Sequence, residues 1–229
     1  MFASVFSAAI SGMEVHLIKV EADVSDGLPS FTMVGLPSTQ VKEAQDRVRT
    51  ALKNNGIALP PKRITVNLAP ADIRKEGAGF DLPLAAAVLA AAGVLSAAQL
   101  GNVMMAGEIG LNGEIHAVSG ILPMIIRARE EKCRFCVVPY DNLREAHLIP
   151  DMKVIGVSNL QEMIRYVGAP DSYKKAVETK RKEKQENAVD FCEIHGQESL
   201  KRAVEIAVSG FHNILMIGPP GAGKTMIAR

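Results

Sequence analysis

The stretch that most restricts how this chain can fold is Gly218-Pro-Pro-Gly-Ala-Gly-Lys-Thr225. It follows the apolar run 213–217, which is typical of a short strand, and it precedes a helix-like start at 226–229. The stretch matches the pattern G-x-x-x-x-G-K-[ST] between a strand and a helix, which forms a loop around a phosphate group. Because glycines reach positive φ and carry no Cβ, the backbone can turn tightly around the anion. The motif predicts a phosphate-binding α/β unit here.

The whole loop is the predicted nucleotide site, and ATP and Mg²⁺ are the predicted cofactors. Its residues are Gly218, Pro219, Pro220, Gly221, Ala222, Gly223, Lys224 and Thr225. Backbone N–H groups from about Gly221 onward are expected to point at the β-phosphate. The Lys224 ammonium is expected to contact the β- and γ-phosphates, and the Thr225 hydroxyl to bind Mg²⁺. A glycine-rich turn without a ligand is the alternative interpretation.

Hydrolysis of ATP needs more than this loop. It also requires an acidic partner for Mg²⁺ and a water-positioning residue, which normally follow the loop. Only four residues follow Thr225. We therefore expect the chain to be a truncated part of a longer ATPase, we assign no catalytic residue, and we expect this fragment not to hydrolyse ATP.

Composition indicates a globular protein of one or two domains. The chain has 229 residues, 48% of them apolar, and a net charge of +1, which gives no overall footprint for nucleic acid or membrane. Three cysteines without a pairing pattern favour a reducing compartment. The N-terminus lacks a basic segment, and the uncharged stretch 82–107 is interrupted by Pro83 and Gly93. We expect a soluble, cytoplasmic protein that does not enter a membrane.

Hydrophobic periodicity predicts an α/β (or α+β) domain over residues 1–168. A charged linker over 169–189 and a second domain over 190–229 follow it. The predicted strands are 3–10, 13–24, 30–35, 63–70, two around Asn112-Gly113, 134–139 and 153–157. The predicted helices are 38–55 with Ser38 or Thr39 as its cap, 82–93, 120–132, a short one near 141–147, and 158–167.

Basic and cysteine residues in this domain have ordinary structural interpretations. Arg47, Arg49 and Lys53 are expected to form a solvated helix face, with a phosphate-contacting patch as the alternative. Cys133 and Cys136 form a lone C-x-x-C that leads into a strand. A zinc site needs two more ligands, so we expect core or near-surface thiols rather than a metal or redox site.

Two segments resemble the catalytic domain of Lon proteases: "RKEGAGFDLPLAAAVL" and "GEIGLNGEIHAVSGILP". The resemblance implies a Lon-like fold, also found in the second domain of a small-subunit ribosomal protein. Lon uses a Ser–Lys dyad, and the matching positions hold Gly79 and Leu122. Neither side chain can act as nucleophile or base. Ser119 and Lys75 are near in sequence but off register, so the resemblance implies a domain without proteolytic activity.

The whole chain resembles the YifB/ComM family of bacterial magnesium-chelatase-like AAA+ ATPases. The resemblance rests on "VGLPSTQVKEAQDRVRTAL", "ITVNLAPADIRKEGAGFDLPLA" and "SGFHNILMIGPPGAGKTM". It implies a P-loop AAA+ module, a hexameric, ATP-driven motor that acts on DNA during competence and recombination, and adenine contacts from Ile194 and Gly196. An ordinary turn ahead of helix 198–208 is the alternative for these two residues. A motor that acts on protein, and a true magnesium-chelatase subunit, are alternative functions.

Overall fold

A seven-stranded mixed sheet forms the centre of the first of two units, Met1–Ala176 and Val177–Arg229. In this computed structural model the described residues are 1–173, 194–219 and 223–227. The strand order is β3-β4-β2-β1-β5-β8-β9. Its strands are β1 (Phe2–Ser11), β2 (Glu14–Ser25), β3 (Ser30–Val34), β4 (Arg63–Ala69), β5 (Val103–Met105), β8 (Phe135–Pro139) and β9 (Val154–Val157). Strands β6 (Glu108–Ile109) and β7 (Ile115–His116) form a separate antiparallel pair.

The central sheet combines antiparallel hairpin pairing with parallel crossovers. Strand β2 pairs antiparallel with β1 and with β4. The pairs β3–β4, β1–β5, β5–β8 and β8–β9 are parallel. Helices connect the parallel strands, as such crossovers require. The helices of this unit are α1 (Thr39–Asn54), α2 (Asp81–Ala91), α3 (Ala97–Leu100), α4 (Ile121–Glu130), α5 (Leu143–Ala146) and α6 (Leu160–Gly168). The predicted α/β fold class is confirmed.

Two hydrophobic layers lie on opposite faces of the sheet. The larger one packs α1, α2, α3 and α6 against alternate residues of the strands, such as Val5, Val20 and Val66. The smaller one packs α4 and α5 against the other face, where Met104 and Val138 point. Every residue of α2 is buried, and its alanines let the helix approach the sheet closely. A helix that is apolar on all sides is expected at such a position.

Helix α1 shows how local sequence sets the boundaries. The Ser38 hydroxyl accepts a hydrogen bond from the Val41 amide at 3.4 Å, which identifies Ser38 as the cap. The predicted apolar stripe of Val41, Ala44, Val48 and Leu52 is buried. At the other end Gly56 adopts a φ of 75°, a conformation that ends helices readily in glycine.

Arg47 is the main correction to the predicted surface of α1. Its side chain is 23% exposed and forms a two-point ion pair with Asp81, whose side chain is fully buried. Arg47 Nε lies 2.8 Å from Asp81 Oδ2 and Nη2 lies 2.9 Å from Oδ1. The Ile109 amide donates to the same carboxylate at 3.2 Å. Arg47 therefore does not belong to a solvated face, because the buried carboxylate at the start of α2 needs a counter-charge.

The predicted strand pair around Asn112-Gly113 is shorter than its sequence suggests. Only Glu108–Ile109 and Ile115–His116 pair across this turn. The apolar residues just before them, Val103–Met105, instead form a central strand between β1 and β8. Burial on both faces explains this, because all three residues of β5 are fully enclosed.

The first unit continues beyond residue 168. A 3₁₀ turn over Pro170–Ser172 follows α6, and the Tyr173 ring packs edge-on against the Tyr166 ring at 5.1 Å. The remainder of the predicted linker, from residue 174 to 189, lies outside the described residues. Among the residues that are described, no helix is long and apolar enough to cross a membrane.

Candidate nucleotide-binding loop

The second unit has a small core built from three separated parts of its sequence. Helix α7 (Glu198–Ser209) contributes Val204, the turn before it contributes Ile194, and α8 (Lys224–Ile227) contributes Ile227. Leu200 and Met216 pack against these three side chains. The cluster ties α7 to the helix that begins at the glycine-rich loop. The position of Lys224 therefore depends on the packing of Ile227 three residues later.

Glycine and lysine set the described geometry of the loop. Gly223 adopts a φ of 78°, which favours glycine over residues with a Cβ. Its carbonyl accepts from the amides of Met226 and Ile227, each at 3.1 Å, and so starts α8. The Lys224 ammonium donates to the carbonyl oxygens of Gly218 and Pro219, both at 2.8 Å. Lys224 thus lies across the loop, bound to neutral acceptors that the oxygens of a phosphate group could replace.

These features fit a phosphate ligand. Lys224 has no carboxylate partner in its described contacts, so its charge is available to an anion. A helix N-terminus also favours negative charge through its unpaired N–H groups. Pro220, Gly221 and Ala222 lie outside the described residues, as does the side chain of Thr225, whose backbone is in α8.

The strand predicted over 213–217 is not formed. Within residues 194–219 and 223–227 the structure contains no strand, and a strand requires a neighbour for its hydrogen bonds. Leu215 and Ile217 are 83% and 88% exposed, whereas Met216 between them packs on the small core. The side chains of residues 215–217 alternate between exposed and packed, as in a strand. The backbone of 213–217 nevertheless forms no strand hydrogen bonds with another described residue.

Ile194 and Gly196 lie in the turn before α7. The Ile194 side chain is buried in the same cluster as Ile227, so it supports the flank of the loop through packing. Gly196 and Gln197 adopt φ values of 70° and 63°, and the Gln197 carbonyl accepts from Leu200 and Lys201 at 2.9 Å. A Cβ added to Gly196 would meet open space. The helix-starting turn that was the alternative interpretation is therefore present, and Gly196 leaves its backbone open.

Comparison with known sequences decides the family. The family described as subunit ChlI of Mg-chelatase matches residues 20–142, and magnesium chelatase, subunit ChlI, matches residues 190–229. The chain belongs to the magnesium-chelatase-like family of YifB and ComM. Among its similar relatives, competence protein ComM of Haemophilus influenzae is 41% identical over 99% of this chain and 45% of its own length. The YifB protein of Escherichia coli is 41% identical over 98% of this chain and 44% of its own length.

The chain thus spans less than half the length of these curated relatives. The first family match lies in the first unit, and the second covers the glycine-rich loop. The YifB/ComM identification made from the sequence is confirmed. More than half of each relative lies outside the aligned part.

In this YifB/ComM family member, the Lon resemblance assigns the dyad positions to Gly79 and Leu122, which carry neither a hydroxyl nor an amine. Gly79 lies in a 3₁₀ turn ahead of α2, and a Cβ built there would be 3.9 Å from a Val118 methyl group, an ordinary contact. Leu122 is half-buried in the first turn of α4. There is room at Gly79 for a Cβ, so no conflict at that atom explains the glycine. Gly79 thus supplies no hydroxyl nucleophile, and Leu122 supplies an aliphatic side chain in place of an amine.

Lys75 is engaged elsewhere, which sequence reasoning did not reveal. Its side chain is fully buried, and the ammonium donates to the Gly35 carbonyl at 2.8 Å and to the Pro70 carbonyl. Burial lowers the pKa of this ammonium, while Asp72 opposes the shift. The loop after β3 and the loop after β4 are thereby tied together. Lys75 is therefore bound to backbone oxygens, and Ser119 is exposed at the surface.

Both thiols of the C-x-x-C motif are buried and free. Burial raises the pKa of the Cys133 thiol, with Glu131 adding to the effect, and burial raises the pKa of Cys136 further. Within the described parts of the chain no group of three or more His, Cys, Asp or Glu residues is placed to hold a metal ion. The prediction of core thiols is confirmed for this pair.

Proposed function

We propose that this chain carries the nucleotide-binding loop of an AAA+ ATPase, together with a Lon-like accessory domain without proteolytic activity. The observation that carries the proposal is the Lys224 ammonium, held at 2.8 Å by two loop carbonyls at the start of α8. A cation on an exchangeable pair of neutral acceptors is suited to take a phosphate group in their place. The family match over residues 190–229 supports this assignment.

Each loop residue has a defined part in binding MgATP. The motif glycines Gly218, Gly221 and Gly223 suit close approach of the phosphates because they carry no Cβ. Pro219, Pro220 and Ala222 occupy the variable positions of the pattern. Lys224 neutralises charge on the β- and γ-phosphates, and Thr225 contributes its hydroxyl to Mg²⁺. When bound, the metal neutralises charge that develops on the transferred phosphoryl group.

The adenine is assigned to the turn before α7. Gly196 presents open backbone there, which allows close approach of a planar base. Ile194 holds this turn in place because its side chain packs with Val204 and Ile227. We therefore propose that Gly196 contacts the adenine through its backbone and that Ile194 holds this backbone in position by apolar packing.

We propose DNA as the substrate of the full-length motor, which would act as a cytoplasmic homo-hexamer in competence and recombination. The support is the relative named competence protein ComM. The net charge of +1 gives the present chain no DNA footprint of its own. The proposal therefore assigns DNA contact to the assembled full-length protein.

The test is the ATPase rate of the full-length protein with and without single-stranded, duplex and branched DNA. We expect DNA to stimulate the rate and Lys224→Ala to lower it at least about tenfold, since a P-loop lysine stabilises transferred charge. Arg202→Ala is the matched control, because Arg202 is a 72% exposed basic residue of the same unit. Stimulation by unfolded protein instead of DNA would favour a protein-directed motor. Metal insertion into a porphyrin would favour the chelatase alternative.

A further inference from the structure

Strand β3 is an edge strand of the central sheet. It stands first in the strand order and pairs with β4 alone among the described residues. The strand at the other end, β9, differs because all four of its residues are buried. Free edges are normally protected by a charged side chain, a proline or a bulge. Ser30–Val34 contains no charge and no proline.

The side chains of β3 alternate cleanly between two faces. Ser30, Thr32 and Val34 are exposed, and Val34 leaves 45% of its surface in solvent. Phe31 and Met33 are partly buried and pack against the larger core. The edge thus presents backbone groups between a weakly polar face and a partly covered apolar face.

The order of these side chains is self-complementary about Thr32. In an antiparallel pair of two identical strands centred there, Ser30 lies opposite Val34, and Thr32 lies opposite its own copy. On the core side Phe31 lies opposite Met33, twice by symmetry. Apolar cross-strand pairs of this kind stabilise a sheet, and no charges are brought face to face. The residue order of β3 is therefore compatible with a contact between two copies of the same strand.

We propose that β3 pairs antiparallel with β3 of a second copy of this chain, with Thr32 opposite Thr32, so that one sheet continues through two molecules. Such a contact uses the same patch on both chains and closes at two. Two strands of five residues bury little area, so the dimer is weak and concentration-dependent. This proposal is independent of nucleotide binding.

Disulfide trapping tests the register directly. Thr32→Cys should give a covalent dimer under mild copper-phenanthroline oxidation, because directly opposed residues lie within disulfide range. Thr65→Cys is the matched control. Thr65 is the register partner of Thr32 one strand further in. It would therefore stand roughly 14 Å from its own copy, given strand spacings of about 4.8 Å, which is too far to bridge.

The remaining thiols require one precaution. Cys133 and Cys136 are buried, and Cys192, which lies outside the described residues, is replaced by serine in every variant. A mixture of Ser30→Cys and Val34→Cys chains should crosslink more than either alone. Separately, Thr32→Lys should abolish the dimer in sedimentation analysis, whereas Thr65→Lys should retain it. Equal trapping at residues 32 and 65, or a chain that stays monomeric up to millimolar concentration, would overturn the proposal.

Discussion

The two units of this chain differ most in how they are held together. The first encloses α2 completely and packs side chains on both faces of its sheet. In the described part of the second unit, the hydrophobic cluster contains only Ile194, Val204 and Ile227 as buried members. Phe211 in that unit is 98% exposed. The larger buried core and the proposed phosphate chemistry are thus located in separate parts of the chain. Substitutions should therefore affect one without the other.

The largest expected effect comes from breaking the buried ion pair of the first unit. Asp81→Ala removes the fully buried carboxylate of the pair. The buried Ile109 amide then loses its acceptor, and among the described residues Arg47 keeps only the Glu43 carboxylate and the Gln40 carbonyl. We expect a loss of about 3–5 kcal/mol in the free energy of unfolding, as for other broken buried pairs. Urea denaturation followed by circular dichroism measures it. Asp46→Ala, an exposed carboxylate on α1, is the control. A loss for Asp81→Ala no larger than that of the control would refute the structural role of the pair.

A cavity in the larger core should have a slightly smaller effect. Leu89 in α2 is fully buried, so Leu89→Ala is expected to cost about 2–4 kcal/mol through lost transfer energy and a residual cavity. Leu111, which is 55% exposed, supplies the control Leu111→Ala, with an expected change below about 0.5 kcal/mol. The midpoint of urea unfolding distinguishes the two. Equal shifts would show that α2 is less tightly packed than described.

Thiol reactivity reports on the smaller core of the first unit without a substitution. Since burial raises the pKa of both Cys133 and Cys136, the reactive thiolate is scarce at neutral pH. We expect alkylation at pH 7.5 to be at least about tenfold slower in the folded chain than in urea, with peptide mapping to separate the sites. Raising the pH toward 9 should increase the folded-state rate. Fast, pH-independent labelling of Cys136 would contradict its burial.

Much of the first unit could be predicted from its sequence because periodicity and caps act locally. The stripe of α1, its Ser38 cap and the strands β1, β2 and β4 follow directly from residue order. The burial of Lys75 could not be predicted, because its acceptor Gly35 is 40 residues away. A long-range contact leaves no periodic signal.

The position of Arg47 in the sequence did indicate burial, although its charge favoured a solvated face. It lies three residues after Ala44 and four before Ala51, at the margin of the buried stripe. Asp81 stands as a lone charge at the start of a fully apolar helix, and such a residue requires a partner. In the second unit the prediction of a strand over 213–217 was wrong. An apolar run forms a strand only where a neighbouring strand is present to pair with it.

Amide hydrogen exchange of the full-length protein, with and without MgATP, tests the central claim most directly. If phosphate binding belongs to the second unit, protection should rise over residues 218–227 and stay unchanged in α2 and the central strands. Lys224→Ala should remove the increase, whereas Asp81→Ala should weaken protection of α2 with or without nucleotide. MgATP-dependent protection confined to residues 1–173, with no change over 218–227, would contradict the account.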